Sequence, residues 1–300
     1  MEESLRIQTL DLLDNRFRPR RRGPMGLIFS AIVNSQVIAR IRRVLTSIFP
    51  FVKLRSDVKN VVYMTWLVDV EKVKHFVPTG LKLWQKNGLT PFTILTYRHG
   101  SFGPSFLGPL RRLFFSPLQS NWRLYLESPP SNVPQISTVL FLKNIMNSIF
   151  YTFGTRVLSD VLATHHAKKF FHKQIEDGFE TQIIPGIGSA PQLSSITKMT
   201  ASKTLNSSFA EVFDSWEYAV EYLSLQDAAI SYTDKDSIFA FSEIKLPIDL
   251  ATIQPLEIIS NKFECPFMEQ FSPYGEPLCF HIPEVRFLAI SEQLISIDGN

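Results

Sequence analysis

The chain has 300 residues, 45% of them hydrophobic, so it can bury one large core or two smaller ones. Its formal net charge of +3 is unevenly divided, because residues 1–59 hold twelve Lys and Arg against five Asp and Glu, whereas the remainder is acidic overall. An acidic body without a recognisable binding module argues against a nucleic-acid partner. Cys265 and Cys279 are too few for a disulfide scaffold and favour a reducing, cytoplasmic compartment.

Residues 1–59 are predicted to form a basic helical extension of a main domain that spans residues 60–300. No acidic residue occurs between Arg16 and Ser56, where RFRPRRRG precedes MGLIFSAIVNSQVIARIRRVLTSIFPF. This stretch allows an amphipathic helix, and its arginines interrupt it before the ~20 apolar residues that a membrane span needs. Three interpretations stay open. Residues 16–55 could lie on a membrane surface, dock on the main domain with a solvated basic face, or act as a signal peptide.

The main domain opens with a predicted buried strand, VVYMTWLV, and a short helix, DVEKVKHFVP. LKLWQKNGLTPFTILTYRHG is predicted to form a hairpin with Asn87 and Gly88 in its turn. The Gly- and Pro-containing loop over 100–112 is a candidate lid, and SNWRLYLE at 120–127 is a predicted strand.

The stretch 137–173 is predicted to fold as strand, helix and strand. Large apolar residues recur at four-residue spacing from Ile145 to Val161, which predicts one apolar helix face, and Gly154 within it predicts close packing against another element. The following HHAKKFFHK places titratable groups beside phenylalanines, namely His165, His166, Lys168 and Lys169.

The remaining segments are mostly predicted strands. DGFETQIIP, after Lys173, predicts a strand pair or hairpin, and the polar segment SSITKMTASKTLNSS predicts an edge strand. Ser208 with Glu211 is a predicted capping box before an amphipathic helix. AAISYT and IFAFSEIKLP form a predicted hairpin about the turn TDKDS, and the Pro-rich tail from Pro255 is predicted to be irregular. Hairpins with a few inserted helices predict an α+β protein built on an antiparallel β-sheet or β-barrel with flanking helices.

The order of these motifs resembles an uncharacterised family, domain of unknown function 2071, within the acetoacetate decarboxylase-like superfamily. WLVDVEKVKHFVPTGLKLWQKNG resembles that family's opening strand, short helix and Val-Pro-x-Gly-Leu-x-Leu. SNWRLYLE is similar to its Asn-x-Arg strand at Asn121 and Arg123, and GTRVLSDVLATHHAKK resembles the helix and following strand. SEIKLPIDLATIQPLEI resembles its closing strand and turn, so the resemblance covers roughly residues 60–260.

The resemblance implies an antiparallel β-barrel with flanking helices and an internal pocket. Acetoacetate decarboxylases carry a Schiff-base lysine within a Gly-Arg-Glu … Pro-Lys-Lys segment at the end of a helix. Gly154-Thr-Arg156 and Lys168-Lys169 occupy similar ground here, so the resemblance makes Lys168 and Lys169 the candidate catalytic residues of a decarboxylase-like lyase. Arg156 and His166 lie in the same segment and are candidate ligand-binding residues. The spacing is longer than in the enzymes, however, and His165-His166-Ala167 stands where their Pro would be.

A Schiff-base lysine must lose its proton, which requires its pKa to fall by about three units through burial and a neighbouring cation. Adjacent lysines on a regular strand point to opposite faces, so the alternative is a strand with one solvated basic face. The neighbouring histidines diverge for the same reason, so no metal site is predicted. No nucleotide-binding motif is present, so no cofactor is predicted.

Asn121 and Arg123 are predicted to line a pocket for a small anionic molecule, because a buried guanidinium needs an anionic partner. An internal salt bridge is the alternative. Two functions therefore stay open: a decarboxylase-like enzyme or binding protein for a small anionic or carbonyl-containing ligand, and a non-catalytic interaction protein at a membrane surface. A homo-oligomer is a further expectation.

Overall fold

A computed structural model describes residues 15–233 and 238–297 of the chain, with one mixed β-sheet at its centre. Its strands, numbered in chain order, are β1 (Leu54–Asp69), β2 (Leu89–Arg98), β3 (Gly103–Pro104), β4 (Leu118–Tyr125), β5 (Thr138–Met146), β6 (Thr164–His166), β7 (Lys169–Ile175), β8 (Gly178–Ile184), β9 (Leu193–Met199), β10 (Ala228–Tyr232), β11 (Ile238–Lys245), β12 (Gln254–Ile258) and β13 (Pro273–Ser296).

Helices flank this sheet. In the described ranges the α-helices are α1 (Pro24–Val33), α2 (Gln36–Ile48), α3 (Val70–Val73), α4 (Ile149–Leu158), α5 (Ser207–Ala210), α6 (Trp216–Ser224) and α7 (Pro266–Glu269). The 3₁₀ segments are Lys74–Phe76, Ser105–Leu113, Leu250–Thr252 and Ser260–Lys262.

The strand pairings form a cycle of seven strands. β1 pairs with β2, and the path through β4, β5, β10, β11 and β13 returns to β1. The β5–β10 and β5–β6 pairs are parallel, so the prediction of a purely antiparallel sheet is wrong. Both parallel pairs follow connections that contain helices, which is the kind of crossover that parallel strands require.

The tail after Pro255 is ordered as strands, contrary to its prediction as irregular structure. β13 is 24 residues long and runs antiparallel to β1. Its prolines misled the prediction, because proline removes a ladder hydrogen bond. Pro277 is accommodated where the register slips between the Thr65–Leu278 and Leu67–Tyr274 pairs, a bulge that also contains Gly275.

Two hydrophobic clusters pack against the sheet. Alternate residues of β1 enter different clusters, as expected from the alternation of side chains along a strand. Met64 and Trp66 join the cluster that contains the aromatic rings of Phe267 and Phe271. Tyr63 joins the other cluster, which is covered by α6.

The helix predicted between Ile145 and Val161 is shorter than expected. β5 continues to Met146, and α4 begins after Ser148, whose hydroxyl accepts a hydrogen bond from the Tyr151 backbone N–H. A Cβ on Gly154 would have no atom within 4 Å, so the predicted close packing at this glycine is wrong.

Three turn and cap predictions have different outcomes. The Asn87–Gly88 turn is confirmed, since both residues have the positive φ angles of 56° and 77° that a two-residue hairpin turn favours. The Ser208–Glu211 capping box is wrong, because Asn206 caps α5 and Ser215 caps α6. The predicted turn TDKDS falls largely on 234–237, outside the described residues.

Candidate functional site

A cavity of about 520 Å³ lies between the segment that precedes α1, α1 itself and the end of β6. Three consecutive arginines and one histidine supply its charged and titratable side chains, and most of the remaining wall is apolar. Its lining residues are Phe17, Pro19, Arg20, Arg21, Arg22, Gly23, Pro24, Met25, Gly26, Ile28, Phe29, Ile32, Ile149 and His166. A concave, mostly apolar site with a few convergent polar groups is typical of small-molecule binding.

Phe17 anchors the segment that forms one wall of this cavity. Its ring is 1% exposed and packs on Phe29 of α1 at 5.1 Å between centroids. The Asn34 side chain, just after α1, satisfies both backbone groups of Phe17, accepting from its N–H at 2.8 Å and donating to its carbonyl at 2.9 Å. The Arg18 backbone N–H donates to Ser189 Oγ at 3.0 Å, which ties the segment to the loop after β8. These bonds hold the arginines over β6.

His166 is the one predicted site residue that lines the cavity. Its Nε2 lies 3.3 Å from the Asn147 carbonyl oxygen, and burial, together with the charge of Arg20, lowers its pKa to about 4. The ring is therefore neutral at pH 7. The neighbouring His165 is held by Ser189 Oγ at 2.7 Å, and burial likewise lowers its pKa.

Lys168 lies in the short connection between β6 and β7, and Lys169 is the first residue of β7. Both side chains are exposed, so neither has the burial that a Schiff-base lysine normally requires. Lys168 is close to Arg20 in the cavity wall, because both residues pack against Gly186. A Cβ built on Gly186 would lie 3.0 Å from the Arg20 carbonyl oxygen and 3.1 Å from Lys168 Cδ. Lys169 instead stacks over Phe171 at 5.1 Å from Nζ to the ring centroid. Their catalytic role stays a prediction.

Arg156 connects α4, β6 and the N-terminal segment. Its Nε donates to the Thr164 carbonyl oxygen at 2.6 Å, and a terminal nitrogen donates to the Asn15 carbonyl oxygen. The guanidinium also lies 5.5 Å from the centroid of the Phe17 ring. In this arrangement Arg156 positions the wall of the cavity, and its predicted contact with a ligand is untested.

Asn121 and Arg123 lie apart from the cavity, on β4. Arg123 is 3% exposed and donates to the Leu223 carbonyl oxygen at 2.8 Å and toward the Tyr125 hydroxyl at 3.4 Å. The described residues place no carboxylate within 4.0 Å of it, so the alternative of an internal salt bridge does not hold there.

Aromatic rings take the place of that missing carboxylate. The Arg123 guanidinium carbon lies 5.4 Å from the Tyr63 ring centroid and 5.3 Å from that of Tyr125. Asn121 donates to Asn144 Oδ1 at 2.7 Å, whereas its own Oδ1 is buried and accepts no hydrogen bond among the described residues. Asn121 and Arg123 therefore belong to a packed polar cluster. Neither they nor Lys168 and Lys169 are among the residues that line the cavity beside His166.

Sequence reasoning missed the arginines as ligand-binding candidates. The basic pattern assigned Arg20, Arg21 and Arg22 only to the N-terminal extension. Their position between Pro19 and Gly23 indicates a turn, which can bring neighbouring side chains to one site. Within residues 15–233 and 238–297, no group of three or more His, Cys, Asp or Glu side chains could hold a metal ion.

Comparison with known proteins identifies the fold. No family model matches the chain, and no curated protein matches it. Among solved structures, the enduracididine biosynthesis enzyme MppR complexed with pyruvate is similar with a TM-score of 0.54 and 10% identity, over 83% of this chain and 91% of that one.

Two further structures agree. Acetoacetate decarboxylase from Legionella pneumophila has a TM-score of 0.54 and 6% identity, over 81% of this chain and 87% of its own. An acetoacetate decarboxylase-like enzyme from Sphingomonas wittichii has a TM-score of 0.51 and 8% identity, over 81% and 93%. The predicted place in the family of unknown function 2071 stays a prediction. The chain has the acetoacetate decarboxylase-like fold.

Proposed function

We propose that this protein binds a small organic anion in the cavity beside His166. The observation that carries the proposal is the convergence of Arg20, Arg21 and Arg22 on a cavity whose other walls are mainly apolar. Guanidinium groups recognise carboxylate and phosphate oxygens through paired hydrogen bonds. The ligand's anionic group would face these arginines.

The apolar part of the ligand would face α1 and α4. Ile28, Phe29 and Ile32 line the cavity from α1, and Ile149 lines it from the start of α4. His166 is neutral at pH 7 because burial lowers its pKa to about 4, so it adds a hydrogen-bonding group without a further charge. An amphipathic carboxylic acid fits this division of the walls.

A more specific form of the proposal gives Lys168 imine chemistry with a keto acid. The amine would attack the ligand's carbonyl carbon, and water would leave as the C=N bond forms. Its support is the position of Lys168 beside the Arg20 backbone and the fold shared with acetoacetate decarboxylase. The cycle of seven paired strands supports a closed barrel. The two free cysteines support a reducing, cytoplasmic location for the protein.

Borohydride trapping tests the imine chemistry. Pyruvate and sodium borohydride are added to the protein, and the intact mass is measured with Lys168→Ala and Lys169→Ala as a matched pair of variants. An adduct that Lys168→Ala alone abolishes would support the role of Lys168. An unmodified mass in the wild type would remove imine chemistry while leaving anion binding untouched.

Isothermal titration calorimetry tests anion binding itself. Octanoate serves as the amphipathic anion and octanamide as its neutral counterpart. Arg20→Ala combined with Arg21→Ala should weaken octanoate binding about tenfold or more, since charge-assisted hydrogen bonds are lost. Arg40→Ala, on the exposed side of α2, should leave it unchanged. Equal binding of octanoate and octanamide would contradict the proposal.

A non-catalytic interaction protein at a membrane surface is the second candidate function. One observation favours it: α2 exposes Val37, Ile41 and Val44 to solvent while it buries Arg42. Exposed apolar side chains also occur outside residues 16–55, in the segments 106–115 and 150–158.

A further inference from the structure

Exposed large hydrophobic side chains are concentrated on one part of the molecule. Of the 24 among the described residues, 18 lie in three segments: 25–52, 106–115 and 150–158. Together these segments make up about a sixth of the chain, and we call them the apolar face. Their most exposed members are Met25, Leu27, Ile48, Phe106, Leu113, Phe115, Phe150 and Leu158, all at least 68% exposed. A patch of this kind marks an interaction surface.

Each segment of the apolar face turns its polar side inward. α2 buries Arg42 and exposes Ile41 and Leu45. α4 buries Thr152 and Thr155 and exposes its phenylalanines. This is the reverse of a surface helix in water, which turns its apolar stripe toward the core.

Specific bonds fix this inverted orientation. Asp160, which follows α4, accepts hydrogen bonds from both Arg42 and Arg43, and Arg42 also donates to the Arg156 carbonyl oxygen at 2.9 Å. Arg111, in the 3₁₀ segment Ser105–Leu113, donates to the carbonyl oxygens of Arg55 and Ser101. The outward direction of the apolar side chains is therefore set by buried arginines.

The three segments are joined through α4. The Phe29 ring of α1 packs on the Phe153 ring of α4 at 5.5 Å between centroids. On the other side of α4, the Tyr151 hydroxyl donates to the carbonyl oxygen of Phe115, which follows the 3₁₀ segment, at 2.9 Å. The apolar face is thus continuous across the N-terminal helices, α4 and the 3₁₀ segment.

The charge of this face identifies its partner. The sequence has no acidic residue between Arg16 and Ser56, between Glu71 and Glu127, or between Glu127 and Asp160. Of the acids beside these segments, Asp57 and Asp160 are paired with arginines, and Glu292 accepts hydrogen bonds from the Ser159 hydroxyl and the Asp160 backbone N–H. Exposed cations remain in the segments or next to them, namely Arg18, Arg21, Arg22, Arg40, Lys53 and Arg112. A second copy of the chain would bring the same positive charge against this face, whereas an anionic bilayer complements it.

We propose that the apolar face docks on the surface of a lipid bilayer that contains anionic lipids. Its apolar side chains enter the boundary between headgroups and acyl chains, and its arginines and lysine contact lipid phosphates. In the described ranges no single helix is long and apolar enough to cross a membrane, although α1 and α2 together, bent by 43°, meet the length and composition criterion. The ion pairs of Arg42 and Arg43 with Asp160 hold α2 along the body of the protein. The two helices α1 and α2 therefore lie on the bilayer surface and do not cross it. This docking specifies the partner of the second candidate function and rests on it. Arg21 and Arg22 also line the cavity, so the test uses residues of the segment 106–115, which do not.

Vesicle co-sedimentation with the full chain tests this docking. The vesicles contain phosphatidylcholine alone or phosphatidylcholine with 30% phosphatidylserine. The triple variant Phe106→Ser, Leu113→Ser and Phe115→Ser removes apolar groups well outside the cavity. Its matched control, Tyr218→Ser, Leu250→Ser and Leu294→Ser, removes exposed apolar groups elsewhere on the surface. Circular dichroism confirms that both variants are folded.

The wild type and the control variant should sediment with phosphatidylserine vesicles, and the face variant should bind about a hundredfold more weakly, because three apolar side chains no longer enter the bilayer. Raising NaCl from 0.1 to 0.5 M should weaken binding about tenfold, since salt screens the cationic contacts. Wild-type protein that stays in the supernatant, a folded face variant that binds like the control, or equal binding to both lipid compositions would each overturn the proposal. Bound protein that resists extraction by alkaline carbonate would also overturn it, in favour of a spanning helix pair.

Discussion

Asp160→Asn should release α2 from the body of the protein. The Asp160 side chain is 9% exposed and accepts hydrogen bonds from Arg42 and Arg43, whose side chains are 9% and 12% exposed. Loss of one partner from a buried ion pair costs about 3 kcal/mol or more, because the remaining charge is left without compensation. Glu292 lies beside this cluster, accepting from the Asp160 backbone N–H at 2.6 Å, and its carboxylate offsets part of the uncompensated charge of the two arginines.

Hydrogen exchange measured by mass spectrometry gives the magnitude directly. A loss of about 3 kcal/mol raises the local opening equilibrium roughly a hundredfold, since about 1.4 kcal/mol corresponds to a factor of ten. We expect this increase in peptides covering Gln36–Ile48, with little change in the β1–β13 ladder. The effect is local because α2 lies outside the sheet and its buried contact with the body is made by Arg42.

Asp214→Asn is the matched control. Asp214 forms an ion pair with Lys86 at 3.8 Å and its side chain is 89% exposed, so its removal should leave exchange unchanged. If Asp160→Asn and Asp214→Asn gave the same exchange across Gln36–Ile48, the reasoning about the buried arginines of α2 would be refuted.

Three other predictions concern stability and reactivity. Gly154→Ala should raise the free energy of unfolding by about 1 kcal/mol, because the added Cβ meets open space in a helix. Gly178→Ala should lower it by about 3 kcal/mol, because the added Cβ would lie 1.9 Å from the Thr197 carbonyl oxygen. Equal stability of the two variants in urea denaturation would contradict this. Burial lowers the pKa of His99 to about 4, so the stability that its neutral form permits is present above pH 6.5 and falls by about 2 kcal/mol as the pH drops to 5. Burial also lowers the pKa values of the other five histidines, so His99→Gln should reduce the pH dependence of the free energy of unfolding by about 2 kcal/mol without abolishing it, and an unchanged pH dependence in this variant would disprove the role of His99. Both cysteines are buried and burial raises their pKa values, so Ellman's reagent should react with them only in urea, and rapid labelling of the native protein would contradict the packing.

The fold class could be predicted from the sequence because local signals agreed with the final structure. The Asn87–Gly88 turn and the apolar strand that became β1 are encoded by neighbouring residues. The parallel pairing of β5 with β10 could not be predicted, since it joins residues about 90 positions apart and depends on tertiary packing. β13 was missed because its prolines resemble loop signals unless the bulge that holds Pro277 is known.

The site was predicted only in part. His166 lines the cavity and its ligand-binding role stays a prediction, whereas Asn121 and Arg123 belong to a packed cluster elsewhere in the sheet. The arginines of the cavity were visible as a basic run, but their place in one cavity wall with His166 is a long-range feature, as is the bond from Arg18 to Ser189. Amphipathic periodicity also left the orientation of α2 open, because the deciding residue, Asp160, lies 117 positions beyond Arg43.

The central claim is that the cavity beside His166 holds an organic anion. A crystal structure with 8-bromooctanoate bound tests it most directly, because the anomalous signal of bromine identifies the ligand by its element. We predict a bromine peak among Phe29, Ile32 and Ile149, with the carboxylate on Arg20 and Arg21. A peak beside Arg123, or an empty cavity at saturating ligand, would contradict the account.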